Sequence, residues 1–350
     1  MKKTVLILFL FFFINRLFAY DKLFEFKLKL QKSYESKKEW KYLKVDKKFK
    51  LDRERPEAFM KYPICIALYN NKFYIIDHMG HKIVIFDKSG GFLRMYKSIG
   101  KGPGDFHFPL WIEFYKKRMF LKHYSAFDVF DDNIKFVKRI KSFVHFKKFT
   151  FYKDNIYCAF VDIYKGRYPI IIKMDMTGKI LRYYCDNDLD KSKIRVLRFG
   201  SNVVLVKDKI YYIPENWNGL YEFDYNLNLI SKGKIKYPLL DRFKEWDKKA
   251  PKKPGFLWPA HLIKSAKVYK ERIFVLLGMP RLEILEIDKR GNILNHYYNN
   301  KFFKYMRWYD FVIEKEGKNL VFYLLGQSTG ENVRGEKLEN NVYKVYIKDE

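Results

Sequence analysis

Cysteine is nearly missing from this chain: three in 350 residues, at Cys65, Cys158 and Cys185. In an exported protein an odd count leaves at least one thiol outside any disulfide. Cys158 falls on the second strand of its unit and Cys185 just after the fourth, strands separated by the third, so their Cα atoms should stand ~9–10 Å apart, beyond the ~7 Å a disulfide spans. No structural disulfide is expected, and aromatic and aliphatic packing must supply the stability. Catalytic signatures are absent too. There is no Gly-x-Ser-x-Gly and no His-Glu-x-x-His, the patterns of an activated serine or a zinc-bound hydrolase. Gly100-Lys101-Gly102-Pro103-Gly104 is glycine-rich, yet no helix follows to offer its N–H groups to a phosphate. Asp186-Asn187-Asp188-Leu189-Asp190 opens like a calcium loop but puts Lys191 where glycine is required and Leu197 where glutamate is required, so it reads as a solvated connection. His78 and His81 sit three apart on a hairpin with no third ligand nearby in sequence, which argues against a metal there.

Acidic residues are scarce as well. Forty Asp and Glu face seventy Lys and Arg, a formal charge of +30. A nucleic-acid binder would gather that charge on one face or helix. Here lysine is scattered among Phe, Tyr, Ile and Asn through strands and turns, as a compositional bias with solvated faces would scatter it. Nucleic acid is therefore disfavoured as a partner.

What is present is a repeat. An apolar strand ends in Asp, a tight turn follows, and a second apolar run begins, at Asp87, Asp131, Asp175, Asp224 and Asp288, with intervals of 44, 44, 49 and 64 residues. An Asp opening a turn can accept from backbone N–H groups ahead of it, and a glycine three residues on tolerates positive φ. Three of the five copies are Asp-x-x-Gly; the copies at Asp131 and Asp224 place Asn133 and Asn226 second after the Asp, and asparagine also tolerates the left-handed region. Apolar strands precede each turn from Lys72, Arg118, Asn155, Lys209 and Arg272, and a sixth starts at Lys318. This period, in residues rich in Ile, Val, Phe and Tyr, is that of a β-propeller blade. The fold expected is all-β: a six-bladed β-propeller of four-stranded antiparallel blades, with units starting near 71, 117, 154, 208, 271 and 318. The last unit stops one strand short, and an open edge invites aggregation. A strand within 24–51 is expected to close the ring, with Trp40–Val45 a candidate.

The chain starts with Lys2 and Lys3, an apolar run over Val5–Ile14, and Leu17-Phe18-Ala19 before polar residues. That order reads as a signal peptide cleaved after Ala19. The run is short for a membrane span and Arg16 interrupts it. The first cysteine is Cys65, so a lipid-anchored lipoprotein is not expected. The mature chain, 20–350, would carry +27, contain no transmembrane segment, form a single domain of roughly 55 residues per blade, and be a monomer in the periplasm or outside the cell.

Phe73-Tyr-Ile-Ile-Asp77, Lys82-Ile-Val-Ile-Phe-Asp87-Lys-Ser-Gly90 and Ile99-Gly-Lys-Gly-Pro-Gly-Asp-Phe106 with Pro109 resemble one repeat of the NHL type. The wording is similar to exported bacterial six-bladed β-propeller proteins, whose first blade ends in a Gly-x-Gly-Pro-Gly-acidic-aromatic loop. The resemblance covers Lys72–Pro109 sharply and the rest only at the level of the repeat. It implies a six-bladed ring and an extracytoplasmic location, and little about activity.

In such a meander the loop between the second and third strands shares a face with the connection to the next blade, while the Asp turns lie on the opposite face. Function concentrates on loops held by a rigid scaffold. The ligand-binding candidates on the first face are Asp77, His78, His81, His123, Asp162, Arg167, Glu215, Trp217 and Arg281. Two aromatic-rich connections, 237–261 and 299–310, could form a rim there or pack between blades. Without a catalytic motif, the reading is a non-catalytic exported propeller that binds a protein, peptide or glycan and needs no cofactor. The alternatives are a propeller-type lyase or lactonase-like enzyme with calcium or another metal in the central channel, and a basic adaptor for anionic envelope polymers.

Overall fold

A computed structural model describes residues 40–46, 49–52, 54–100, 102–123, 126–141, 146–160, 169–186, 201–215, 218–241, 262–278, 282–299, 306–328 and 340–347. Its strands form six sheets, each of them a meander, arranged as a six-bladed β-propeller. Blade one is β3 (Pro63–Tyr69), β4 (Lys72–Asp77), β5 (Lys82–Asp87) and β6 (Phe92–Lys97). Blade two is β7 (Trp111–Tyr115), β8 (Arg118–His123), β9 (Ala126–Phe130) and β10 (Phe136–Lys141). Blade three is β11 (Phe146–Tyr152), β12 (Asn155–Phe160), β13 (Ile171–Asp175) and β14 (Ile180–Tyr184). Blade four is β15 (Asn202–Val206), β16 (Lys209–Ile213), β17 (Gly219–Phe223) and β18 (Leu229–Lys234). Blade five is β19 (Ile263–Tyr269), β20 (Arg272–Leu277), β21 (Leu282–Ile287) and β22 (Ile293–Asn299). Blade six has β23 (Met306–Glu316), β24 (Asn319–Ser328) and β25 (Asn340–Tyr346). Each blade opens one strand before the positions where the sequence repeat starts; in blades two, three, five and six the first strand carries charged residues that interrupt its apolar pattern. The first strands of neighbouring blades touch one another around the ring, which puts them at the axis.

The ring closes through the N-terminal segment, and the segment divides. β1 (Trp40–Tyr42) adds in parallel to β22 as a fifth strand of blade five. β2 (Lys44–Val45) pairs antiparallel with β25 and supplies the missing fourth strand of blade six. Only the second half of the candidate Trp40–Val45 therefore does the closing.

The second and third strands read as unbroken apolar runs because both faces of a blade are covered. Along β4, Phe73 and Ile75 pack toward blade six, and Tyr74 and Ile76 toward blade two. Apolar clusters of this kind fill all six blade-to-blade interfaces. Cys158 and Cys185 stand on opposite sides of β13, and the chain has no disulfide.

The five Asp turns share one geometry. Asp288 Oδ1 accepts from Arg290 N at 2.8 Å and Asn292 N at 2.9 Å. Asp224 Oδ1 accepts from Asn226 N and Asn228 N, both at 2.8 Å. Asp87, Asp131 and Asp175 repeat the pattern. The left-handed residue is always the third after the Asp: Gly90, Gly178 and Gly291, but also Ile134 at φ 63° and Leu227 at φ 60°. Asn133 and Asn226 thus do not relieve the turn, contrary to the sequence reading; their backbone N–H groups go to the Asp instead. Positive φ costs a residue with a Cβ about 1–2 kcal/mol, and burying a large aliphatic side chain gains about 1.5–3 kcal/mol. Leu227 is 2% exposed, so burial prevails. Leu227→Gly is expected to lower stability by about 2 kcal/mol in urea unfolding despite relieving the turn; a stabilised variant would refute that balance.

Candidate functional site

The first strands meet at the axis, and four of them carry a β-bulge near the loop-face end. In β3 the pairing with β4 shifts between Pro63 and Cys65, in β11 between Phe146 and Phe149, in β19 between Ile263 and Ser265, and in β23 between Trp308 and Asp310. A bulge adds one unpaired residue and re-aims its neighbours. The extra residue falls within Lys147–Lys148 in blade three and at Lys264 in blade five. Charged side chains are thereby delivered to the axis of a ring whose interfaces are otherwise apolar.

All six blades contribute to one polar network. Asp310 of blade six is fully buried and accepts from Ile66 N of blade one at 3.1 Å and from Ser265 Oγ of blade five at 2.5 Å. Lys267 Nζ of blade five lies 3.3 Å from Asp310 Oδ1. The same ammonium stands 4.4 Å from the ring centroid of Trp111, on blade two across the axis. Lys148 of blade three flanks that ring at 5.2 Å and donates to Asn202 Oδ1 of blade four at 2.6 Å and to the Lys264 carbonyl at 2.5 Å. Trp111 Nε1 points at Glu113 Oε2, 3.4 Å away. These side chains cross the channel and form a floor. Above it, toward the loop face, come Lys147, Lys264 and Arg307, each second in its strand, with Glu215 Oε1 3.7 Å from Lys264 Nζ.

Crowding moves several of these groups into the neutral range. Burial pushes the Glu113 carboxyl up to about 7, against the pull of Lys267 and the Trp111 N–H. Burial pulls Lys148 down to about 7, with Lys147 adding to it. Lys264 falls to about 8 through burial, opposed by Glu215 and assisted by Lys147 and Arg307. Lys267 goes the other way: burial lowers it, but Asp310, helped by Cys65 and Glu113, lifts it above an ordinary lysine. Perturbed groups gathered around a specific set of charge partners make the axis a candidate functional site.

The residues expected from sequence fare unevenly. Asp77 is fully buried and spends its carboxylate on backbone, accepting from Lys61 N at 2.8 Å, Tyr62 N at 2.7 Å and Gly80 N at 3.1 Å, so it shapes the loop face without facing a ligand. His81 Nδ1 accepts from Phe108 N at 3.0 Å, and His78 Nδ1 lies 3.1 Å from the Pro109 carbonyl. With Tyr62 and Tyr309 these rings form an aromatic strip running outward over blade one, with successive centroids 5.4, 6.4, 5.3 and 4.3 Å apart from Tyr309 through Tyr62, His78 and Phe108 to His81. His123 is buried, with Nε2 3.5 Å from Asp128 Oδ2, a carboxylate already gripped by Arg139 at 2.6 Å. Glu215 does reach the channel mouth. Asp162, Arg167, Trp217 and Arg281 lie outside the described residues, as do 242–261 of the first aromatic connection and 300–305 of the second; Trp308 of the second is fully buried between blades five and six.

The glycine loop is a structural corner, as Gly102 N donates to Asp105 at 2.9 Å and Arg139 donates to the Gly102 and Asp105 carbonyls. Among the described residues no three His, Cys, Asp or Glu side chains converge as metal ligands would, and no helix is long and apolar enough to cross a membrane. Sequence reading missed Trp111, Glu113, Lys147, Lys148, Asn202, Lys264, Lys267, Arg307 and Asp310. The available signal was charge inside the otherwise apolar strands Trp111–Tyr115, Phe146–Tyr152, Ile263–Tyr269 and Met306–Glu316.

No protein-family model and no curated protein matches the sequence. The NHL-type wording over Lys72–Pro109 therefore stands on its residues alone. Solved structures do resemble the chain. A Bacteroides fragilis protein thought to be exported superposes with a TM-score of 0.57 at 13% identity, covering 88% of this chain and 95% of its own. A member of the DUF4221 family from Bacteroides vulgatus gives 0.53 at 11%, over 89% and 98%. Streptogramin B lyase gives 0.52 at 11%, over 88% and 98%. What they share with this chain is the fold.

Proposed function

We propose that this protein is an exported propeller, freed of residues 1–19, that binds a protein, peptide or glycan ligand at the loop-face mouth of its central channel. The observation that carries this is the convergence of charged side chains from five of the six blades on the channel axis, over a floor that spans it, under a mouth flanked by the Tyr309–His81 aromatic strip. An all-apolar axis would pack as well at lower desolvation cost, so these groups fit recognition better than stability. The likeness to a protein thought to be exported agrees with the leader read at the N-terminus.

A second reading, a lyase-type or lactonase-like enzyme, is favoured by Glu113 and Lys148 alone, two groups suited to proton transfer near neutral pH. One experiment addresses both. Immobilised protein is offered arrays of peptides and glycans alongside two variants, Arg307→Gln at the mouth and Arg290→Gln on an opposite-face Asp turn. Retention of intact ligand, lost with Arg307→Gln and kept with Arg290→Gln, is expected. Loss with Arg290→Gln alone would move the site to the other face, and release of a cleaved product would establish the enzyme.

A further inference from the structure

Among the described residues the mouth carries more positive than negative charge. Lys147, Lys264 and Arg307 come from three different blades, and Glu215 is the acid among them at 3.7 Å from Lys264 Nζ. Lys147 makes no ion pair with any described residue. Such an arrangement differs from the scattered surface lysines, because the bulges in β11 and β19 deliver Lys147–Lys148 and Lys264 to the axis. Like charges held together on a rigid ring repel one another, and an anion between them relieves that repulsion.

Asn202 gives a second and independent sign. It is 1% exposed, and its Oδ1 accepts from Lys148 Nζ at 2.6 Å and Ala266 N at 3.0 Å. Two donors on that oxygen fix which way the amide faces, since a flip would set Nδ2 against both. The two N–H groups of Nδ2 are left without an acceptor among the described residues. A buried donor without an acceptor costs about 1–3 kcal/mol, and an incoming oxygen ligand cancels that cost.

We propose that the channel mouth binds one oxyanion group of the ligand, a carboxylate, sulfate or phosphate, held by Lys147, Lys264 and Arg307 with the Asn202 amide donating from below. The inference rests on the loop-face reading and sharpens it by fixing the charge of the ligand. The floor made by Lys148, Lys267 and Trp111 closes the channel beneath, so the anion enters and leaves by the loop face. Arg and Lys serve differently here. Arg307 can present two parallel N–H groups to two oxygens, while the lysines act as point charges.

The test is calorimetric titration of the purified protein with sodium sulfate, sodium phosphate and sodium glucuronate in separate arms, each repeated in 0.3 M sodium chloride. One-site binding by at least one anion, competed by the others and surviving the added salt, is expected; the tightest arm identifies the oxyanion. Lys147→Gln, at a half-buried position with little risk to folding, and Arg307→Gln should each weaken binding at least tenfold. Lys289→Gln, on an opposite-face turn, should leave it unchanged. Multiple weak sites that vanish in salt, or equal losses with Lys289→Gln, would overturn the inference, as would no binding in any arm. An uncharged ligand captured on the arrays and lost with Arg307→Gln would then keep the loop-face reading while removing the anion from it.

Discussion

Gly291→Ala is expected to destabilise the protein by at least about 3 kcal/mol, while Gly317→Ala costs about 1 kcal/mol, although both glycines have positive φ. Gly291 has φ 77°, and a Cβ there would lie 2.1 Å from the Lys234 carbonyl oxygen, a backbone atom at the end of blade four's outer strand. Its own carbonyl accepts from Lys236 N at 2.8 Å, so the turn and the neighbouring blade cannot separate without losing that bond. Gly317 has φ 59° and nothing within 4 Å, leaving only the conformational cost. The difference between the two variants in urea unfolding isolates the blade contact. Similar losses would mean that the contact is soft.

The same contact recurs at the seam of the ring. A Cβ on Gly90 would lie 2.2 Å from the Lys50 carbonyl oxygen, and Gly90 O accepts from Asp52 N at 2.7 Å. Lys50 and Asp52 follow β2 as Lys234 and Lys236 end and follow β18. The N-terminal segment thus meets blade one as a true outer strand meets the next blade. Gly90→Ala should loosen this closure as Gly291→Ala loosens an internal interface.

Asp310→Ala is expected to cost about 3–5 kcal/mol, because it leaves the Lys267 ammonium without its counter-ion at the axis. It also strips an acceptor from Ser265 Oγ and Ile66 N, so three blades lose their common anchor. Lys267 is 22% exposed at the side chain, so part of its charge can reach water and the loss should fall toward the lower end of that range. Adding Lys267→Met to Asp310→Ala should recover roughly half of the loss, since the uncompensated charge is then gone. A single Asp310→Ala variant within about 1 kcal/mol of wild type would show that the axis network is not a structural clasp.

The parts of this fold legible in the sequence are those whose chemistry is local. The Asp turns declare themselves within five residues, because the carboxylate, its backbone donors and the left-handed position all fall in one short stretch. Even there Ile134 and Leu227 escaped, since burial, which only the tertiary structure reveals, outweighed their backbone preference. The splitting of 40–45 between blades five and six involves strands of three and two residues, too short for any periodicity. The axis was hidden for a different reason. Glu113, Lys148, Lys264 and Asp310 come from four blades, and each alone resembles one more charged residue in a lysine-rich chain. Only closure of the ring brings them together, and for Lys148, Lys264 and Asp310 a bulge in the strand sets their direction. Glu215 was found because it sits on a loop, whereas Asp77 looked alike and proved to be a backbone cap.

Soaking crystals of the protein in sodium selenate and collecting anomalous diffraction would test the channel-mouth site most directly. The expected result is one dominant selenium peak on the axis, on the loop-face side of Trp111 and within hydrogen-bonding reach of Lys264 and Arg307. Peaks confined to the Asp-turn face or scattered over surface lysines, with the mouth empty, would contradict it.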